Sequence, residues 1–136
     1  MKLTQLLKNI EYSVARGEID VEVSSIEMDS RKVTPGCLFF CITGFKTDGH
    51  SYAAEVVAKG AKVLIVEKDI DLPAVDASKS DVTVIKVPDS RYAMACISAA
   101  FYGNPADRLS IIGITGTKGK TTTTYLVKAI LEKAAL

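Results

Sequence analysis

The chain has no tryptophan, one histidine and few aromatic residues, and each scarcity narrows what it can do. At 7% aromatic content there is little surface on which nucleic-acid bases could stack. With His50 as the lone histidine and no Cys-x-x-Cys pair, the usual ligand set of a zinc site is missing. An excess of one charge is also missing. The 17 Lys and Arg residues stand against 16 Asp and Glu, for a net charge of +1. No strong field therefore favours nucleic acid or an anionic membrane. No apolar run approaches the roughly 20 residues that span a bilayer. The opening Met1–Asn9 is too short and too interrupted for a secretory signal, and reads as a small amphipathic helix. Cys37, Cys41 and Cys96 are odd in number and each lies in an apolar run, which predicts buried free thiols in a reducing cytosol.

What is present is an ordinary globular composition, 48% hydrophobic and 24% charged over 136 residues. Ser24–Met28 alternates weakly and is expected to be a strand entering the turn Asp29–Arg31. Val33–Gly36 reads as a turn. Cys37–Ile42 is fully apolar and is expected to be a central strand, Lys62–Glu67 a buried strand and Val82–Val87 another strand. Gly44–His50 is a polar loop. A helix is expected from about Ser51 to Lys59, with Tyr52, Val56 and Val57 inward and Gly60 as its C-terminal cap. Lys68–Asp81 holds Pro73 and reads as a surface excursion. A second helix runs from Pro88-Asp89-Ser90 to Tyr102. Strands alternating with helices imply an α/β sheet. Gly103–Arg108 is the best boundary in the chain.

Beyond that boundary lies the most informative motif. Ser110–Ile114 is apolar and β-branched, as expected of a buried parallel strand. Gly113-Ile114-Thr115-Gly116-Thr117-Lys118-Gly119-Lys120-Thr121 follows from it and leads into a helix, with Leu126, Val127, Ile130 and Leu131 on one face. Strand, glycine-rich loop and helix together read as a phosphate-binding loop. Gly116 and Gly119 permit dihedrals closed to other residues. The backbone amides from Gly116 through Thr117, Lys118 and Gly119 to Thr122 can converge on phosphate oxygens. Lys120 would carry positive charge to the β- and γ-phosphates, and the Thr121 hydroxyl would ligate or approach magnesium. The pattern departs from the usual one at its first position, Ile114, the glycine standing one residue earlier. An ordinary strand-to-helix turn explains the glycines, but not why Lys120-Thr121 opens the helix. Such a loop needs further strands and helices around it, so the chain reads as a piece of a larger enzyme.

Three stretches in order resemble one family. They are Asp29–Phe40, Gly44–Tyr52, and Phe101–Pro105 leading to Gly113–Thr124. Their order and spacing are similar to the N-terminal part of the Mur ligases of peptidoglycan synthesis. The likeness is nearest the member that adds the third residue, a diamino acid, to UDP-N-acetylmuramoyl-L-alanyl-D-glutamate. The dipeptide-adding member shares the first two stretches, and another phosphate-loop NTPase is the remaining alternative. Where the family usually has Asn, this chain has Lys118.

The resemblance implies an α/β fold. A three-layer N-terminal domain with a mixed sheet would span residues 1–107 and hold the UDP-sugar. Residues 108–136 would form the first strand, phosphate loop and helix of a truncated ATP-binding domain. Met28 and Ser30 fall where the family contacts the UDP-sugar, and Phe45, Lys46 and Thr47 occupy its second contact loop. The alternative for Asp29-Ser30-Arg31 is a self-capping turn and for Lys46 a solvated lysine, while Asp48 and His50 read as caps of the following helix rather than catalytic residues. The implied reaction uses ATP and Mg2+. ATP phosphorylates the substrate's free carboxylate, and the amine of a diamino acid attacks the acyl phosphate, with Lys120 as the catalytic residue. The implied partners are the UDP-N-acetylmuramoyl-dipeptide, ATP and the diamino acid, without nucleic acid or membrane. The implied parent is cytoplasmic and monomeric. The 136-residue chain alone is expected to lack ligase activity. Its strand at 110–114, lacking neighbours, is expected to leave 108–136 mobile, misplaced or paired with another chain.

Overall fold

The apolar runs of the sequence become the centre of a five-stranded sheet. In this computed structural model, which describes residues 1–44, 47–70 and 82–134, the strands are β1 (Ser13–Arg16), β2 (Ile26–Glu27), β3 (Leu38–Phe40), β4 (Val63–Val66) and β5 (Thr83–Lys86). Their spatial order is β1-β5-β4-β3-β2. The four strands β2 to β5 run parallel, in register at Leu38 with Val63 and at Val63 with Thr83. At the edge, β1 joins β5 antiparallel with a register shift between Val14 and Arg16, so the sheet is mixed.

Successive side chains on a strand point to opposite faces, and here each face has its own apolar cluster. Leu38, Phe40, Val63, Ile65 and Ile85 pack with the helices α1 (Leu3–Leu6) and α3 (Ser90–Phe101). Phe39, Leu64, Val66 and Val84 pack on the other side with α2 (Ala53–Ala58). Three layers result, and β3 and β4 are apolar throughout because both of their faces are covered. Asp48 opens the α2 region as an N-cap, accepting from the His50 amide, and a 3-10 turn at Gly49–Tyr52 precedes α2. The expected helix from Ser51 therefore begins tighter than an α-helix. Val56 and Val57 are buried and Tyr52 is half-buried. Asp89 caps α3 by accepting from the amides of Arg91 and Tyr92. Cys37 and Cys41 are buried free thiols and Cys96 is half-buried. Burial pushes the Cys41 thiol up to about 12.

The chain divides into two compact units, Met1–Asn104 and Pro105–Leu136. The second holds a 3-10 turn at Pro105–Arg108 and the helix α4 (Lys120–Lys133). The expected strand at Ser110–Ile114 is not a strand among the described residues, and Ile111 and Ile112 are 70% and 58% exposed. A strand is defined by the neighbours that accept its hydrogen bonds, and no described residue supplies them. The helix face expected from Leu126, Val127, Ile130 and Leu131 is split for the same reason. Val127 and Leu131 are half-buried beside Ile112 and Ile114, while Leu126 and Ile130 are exposed. No described helix is long and apolar enough to cross a membrane. Residues 71–81, most of the expected surface excursion, lie outside the described residues.

Candidate functional site

Two surfaces carry the residues that the sequence singled out. The first is an open cleft of about 790 Å³ in the N-terminal unit. It lies past the carboxyl ends of β2 and β3, the edge where open α/β sheets bind ligands. Met28, Asp29, Ser30 and Arg31 line it from the turn after β2, and Gly44 and Thr47 from the loop after β3. The floor is Phe39, Phe40 and Ile42, with Tyr52, Glu55, Arg91 and Met94 at the sides. Met28, Ser30 and Thr47 are thus brought together. Phe45 and Lys46 lie outside the described residues.

The turn at Asp29 does close on itself. Its carboxylate accepts from the Arg31 backbone at 3.0 Å and from the Arg31 guanidinium at 2.9 and 2.7 Å. The Arg31 side chain, then its amide, hold the Asp29 carboxyl well below the usual carboxylate range. Self-capping and cleft lining coexist in this turn: the exposed Met28 and the half-buried Ser30 both line the cleft. Sequence reasoning passed over Arg91, which donates to the Thr43 carbonyl at 3.2 Å. Nothing in the local sequence links residues 48 positions apart.

A polar network borders the cleft. His50 is buried, and its Nδ1 lies 2.6 Å from Asp48 Oδ1. Its Nε2 accepts from the Glu67 amide at 3.1 Å, which assigns the ring hydrogen to Nδ1, donating to Asp48. Lys68 also pairs with Asp48. The Lys68 ammonium, then the His50 amide and ring, hold the Asp48 carboxyl far below its ordinary range. Glu67 in turn accepts from the Ser90 hydroxyl at 2.6 Å and the Ser90 amide at 2.8 Å, and these bonds lower its carboxyl. Asp48 caps the following turn as the sequence reading allowed, and the His50 ring reaches beyond that to β4.

The second surface is the loop before α4. Gly119 is its N-cap with φ +78°, a left-handed conformation that a side chain would strain. It offers no capping side chain, so the amides of Lys120, Thr121 and Thr122 precede the first intrahelical bond, from Thr123 to Gly119. Gly116, Thr117, Lys118 and Thr121 are exposed around that end. Lys120 Nζ donates to the Gly116 carbonyl at 2.6 Å, so the ammonium folds over the loop. No acidic residue occupies the first turn of α4. Open amides, a helix N-terminus and a lysine suit a polyphosphate. Among the described residues no cluster of His, Cys, Asp and Glu could hold a metal by itself. A magnesium ion here would depend on Thr121 and on the phosphates themselves.

These features define an α/β protein with a ligand-sized cleft at its strand ends and an anion-receptive helix start. Residues 22–102 match the family described as "Mur ligase family, catalytic domain". The chain belongs to the Mur ligase family. A relative from Clostridium botulinum, UDP-N-acetylmuramoyl-L-alanyl-D-glutamate--2,6-diaminopimelate ligase, is 53% identical over 98% of this chain and 27% of its own length. The protein of that name from Clostridium perfringens is 47% identical over 98% of this chain and 26% of its own. The chain therefore spans about a quarter of the length of these curated relatives. Among solved structures, MurF from Acinetobacter baumannii aligns with a TM-score of 0.69 at 31% identity, over 97% of this chain and 27% of that one. MurF ligase from Thermotoga maritima, solved in complex with ADP, aligns with a TM-score of 0.53 at 26% identity, over 80% of this chain and 23% of that one.

Proposed function

We propose that this chain is the N-terminal part of an ATP-dependent ligase that adds a diamino acid to UDP-N-acetylmuramoyl-L-alanyl-D-glutamate in peptidoglycan synthesis. Residues 1–107 form the UDP-sugar domain, and residues 108–136 open the ATP-binding domain. Met28, Ser30 and Thr47, with Phe45 and Lys46 from the same loop, hold the nucleotide-sugar. The loop amides from Gly116 to Thr122 cradle the polyphosphate, with Lys118 adding charge at its side. Lys120 neutralises the phosphoryl group in transfer, where positioning and charge stabilisation supply most of the catalysis. Magnesium near Thr121 would offset polyphosphate charge.

One observation supports this reading above the others. Met28, Ser30 and Thr47, chosen from the sequence, converge on one cleft within the usual size range of small-molecule sites. The reaction makes the substrate carboxylate an acyl phosphate, which the incoming amine displaces to give an amide, ADP and phosphate. The whole reaction belongs to a protein of the relatives' length, monomeric and cytoplasmic. The exposed Leu109, Ile111 and Ile112 support self-association of residues 1–136 on their own.

Titrating UDP into the 136-residue chain, with the amide resonances of Met28, Ser30 and Thr47 as reporters, tests the cleft. Saturable shifts at these positions are expected, and their absence removes the substrate assignment. The likeness to MurF structures favours a second reading, in which the parent adds a dipeptide. Assaying the parent with diaminopimelate and with D-alanyl-D-alanine separates the two.

A further inference from the structure

We infer that Arg91 and His50 are positioning residues that hold the lip of the cleft, from two sides, in the conformation that receives the nucleotide-sugar. This rests on the substrate reading above and extends it to two side chains acting through the lip. The lip consists of two short runs, Thr43–Gly44 and Thr47–Gly49. They meet at an isolated bridge between Thr43 and Asp48. The Gly44 amide donates to the Thr47 carbonyl at 3.0 Å, and the Gly49 amide to the Ile42 carbonyl at 2.8 Å. Thr43, Gly44 and Thr47 are exposed. So small a paired segment, without apolar cover, has little stability of its own. Its conformation must come from its anchors.

Each run has one. On the outgoing run, the buried His50 ring links Asp48 to the Glu67 amide just past β4. Capping alone does not explain this, because the Asp48 carboxylate already caps the turn through the His50 amide. On the incoming run, the Arg91 guanidinium takes the Thr43 carbonyl. Both anchors trace to one corner, since Glu67 accepts from the amide and hydroxyl of Ser90, the residue before Arg91. The lip, the end of β4 and the first turn of α3 are therefore one hydrogen-bonded body. Thr47, on the lip, is carried by it.

Two variants of the 136-residue chain test the inference. Arg91→Met keeps the stem and removes the donor. His50→Gln places an amide atom where Nε2 sits and so replaces one of the ring's two hydrogen bonds, leaving the Nδ1 position without a donor. Amide exchange at Gly44 and Gly49 is expected to accelerate about tenfold, with Leu64 and Ile65 in β4 unchanged. If the competent lip falls to about a tenth of the population, the Kd for UDP rises about tenfold. Unchanged exchange at Gly44 and Gly49 in both variants overturns the anchoring. Faster exchange with unchanged UDP affinity overturns the positioning role. If His50→Gln unfolds, seen as lost protection in β4, Arg91→Met decides alone. If the unmodified chain does not bind UDP, the substrate reading fails and the positioning role falls with it. The exchange measurement then still separates an anchored lip from a free one.

Discussion

Replacing Gly49 with alanine puts a methyl group where the fold has no room. A Cβ built there lies 2.6 Å from the Ile42 nitrogen and 2.8 Å from its oxygen, with the Cys41 carbonyl carbon at 3.1 Å. All three neighbours are backbone atoms, so no side chain can swing aside. Reaching an ordinary contact of about 3.5 Å requires the two runs to part by about 1 Å. That parting breaks the 2.8 Å bond from the Gly49 amide to Ile42. Overpacking costs about 1–3 kcal/mol and the lost hydrogen bond about 1 kcal/mol more. The sum is about 2–4 kcal/mol, which in a unit of this size lowers the melting temperature by at least about 8 °C. Gly103→Ala is the comparison, because its φ is +77° with nothing near the added carbon. Only left-handed strain acts there, about 1–2 kcal/mol. Thermal unfolding followed by circular dichroism reads both variants. A melting point for Gly49→Ala within about 2 °C of the unmodified chain would refute the steric argument.

Acid should loosen the polar corner beside the cleft. Hydrogen bonds depress the carboxyls of Glu67 and Asp48 below their ordinary values of 4.5 and 3.8. Their stabilisation is therefore complete above those values and is lost as pH falls through the lower folded-state values. Denaturant titrations should show stability declining below about pH 4.5, and Glu67→Gln should flatten that decline. A thiol reagent applied to the native chain should modify Cys96 first, with Cys37 and Cys41 reacting only on unfolding. Equal rates for all three would contradict the burial. In the parent protein, Lys120→Ala should weaken ATP binding by about tenfold or more by removing a charged donor, and unchanged calorimetric affinity would mark the loop as inert. Residues 1–136 alone should yield no amide from the UDP-sugar dipeptide, ATP and a diamino acid, as followed by chromatography of the nucleotide-sugar.

The parts of this fold visible in the sequence are those with a local cause. Leu38–Phe40 and Val63–Val66 are apolar because both faces are covered, and an apolar run bounded by turns shows that directly, while Thr83–Lys86 keeps only Val84 and Ile85 as its apolar centre. The helices at Ala53 and Ser90 announced themselves through Asp48 and Asp89. By contrast, Ser13–Arg16 is exposed at every position, so no alternation marks it as a strand. Ser110–Ile114 errs the other way, apolar enough for a strand yet without a described neighbour to pair with. The turn and loop of the cleft were legible as Asp29–Arg31 and Gly44–His50. The couplings of Arg91 to Thr43 and of Glu67 to Ser90 were not, since each joins residues that only the folded sheet brings together.

The two-sided cover of β3, β4 and β5 leaves a question of alignment that greasy side chains cannot answer. Shifting β4 by one position would exchange Val63 and Ile65 for Leu64 and Val66 between the two clusters, trading like for like. Polarity would not object to the mistake. The His50 nitrogen waiting for the amide of Glu67, and Ser90 waiting for its carboxylate, would object, because a shifted strand would strand both. The same corner that steadies the rim of the cleft thus serves as the end stop that tells this sheet where its middle strand must halt.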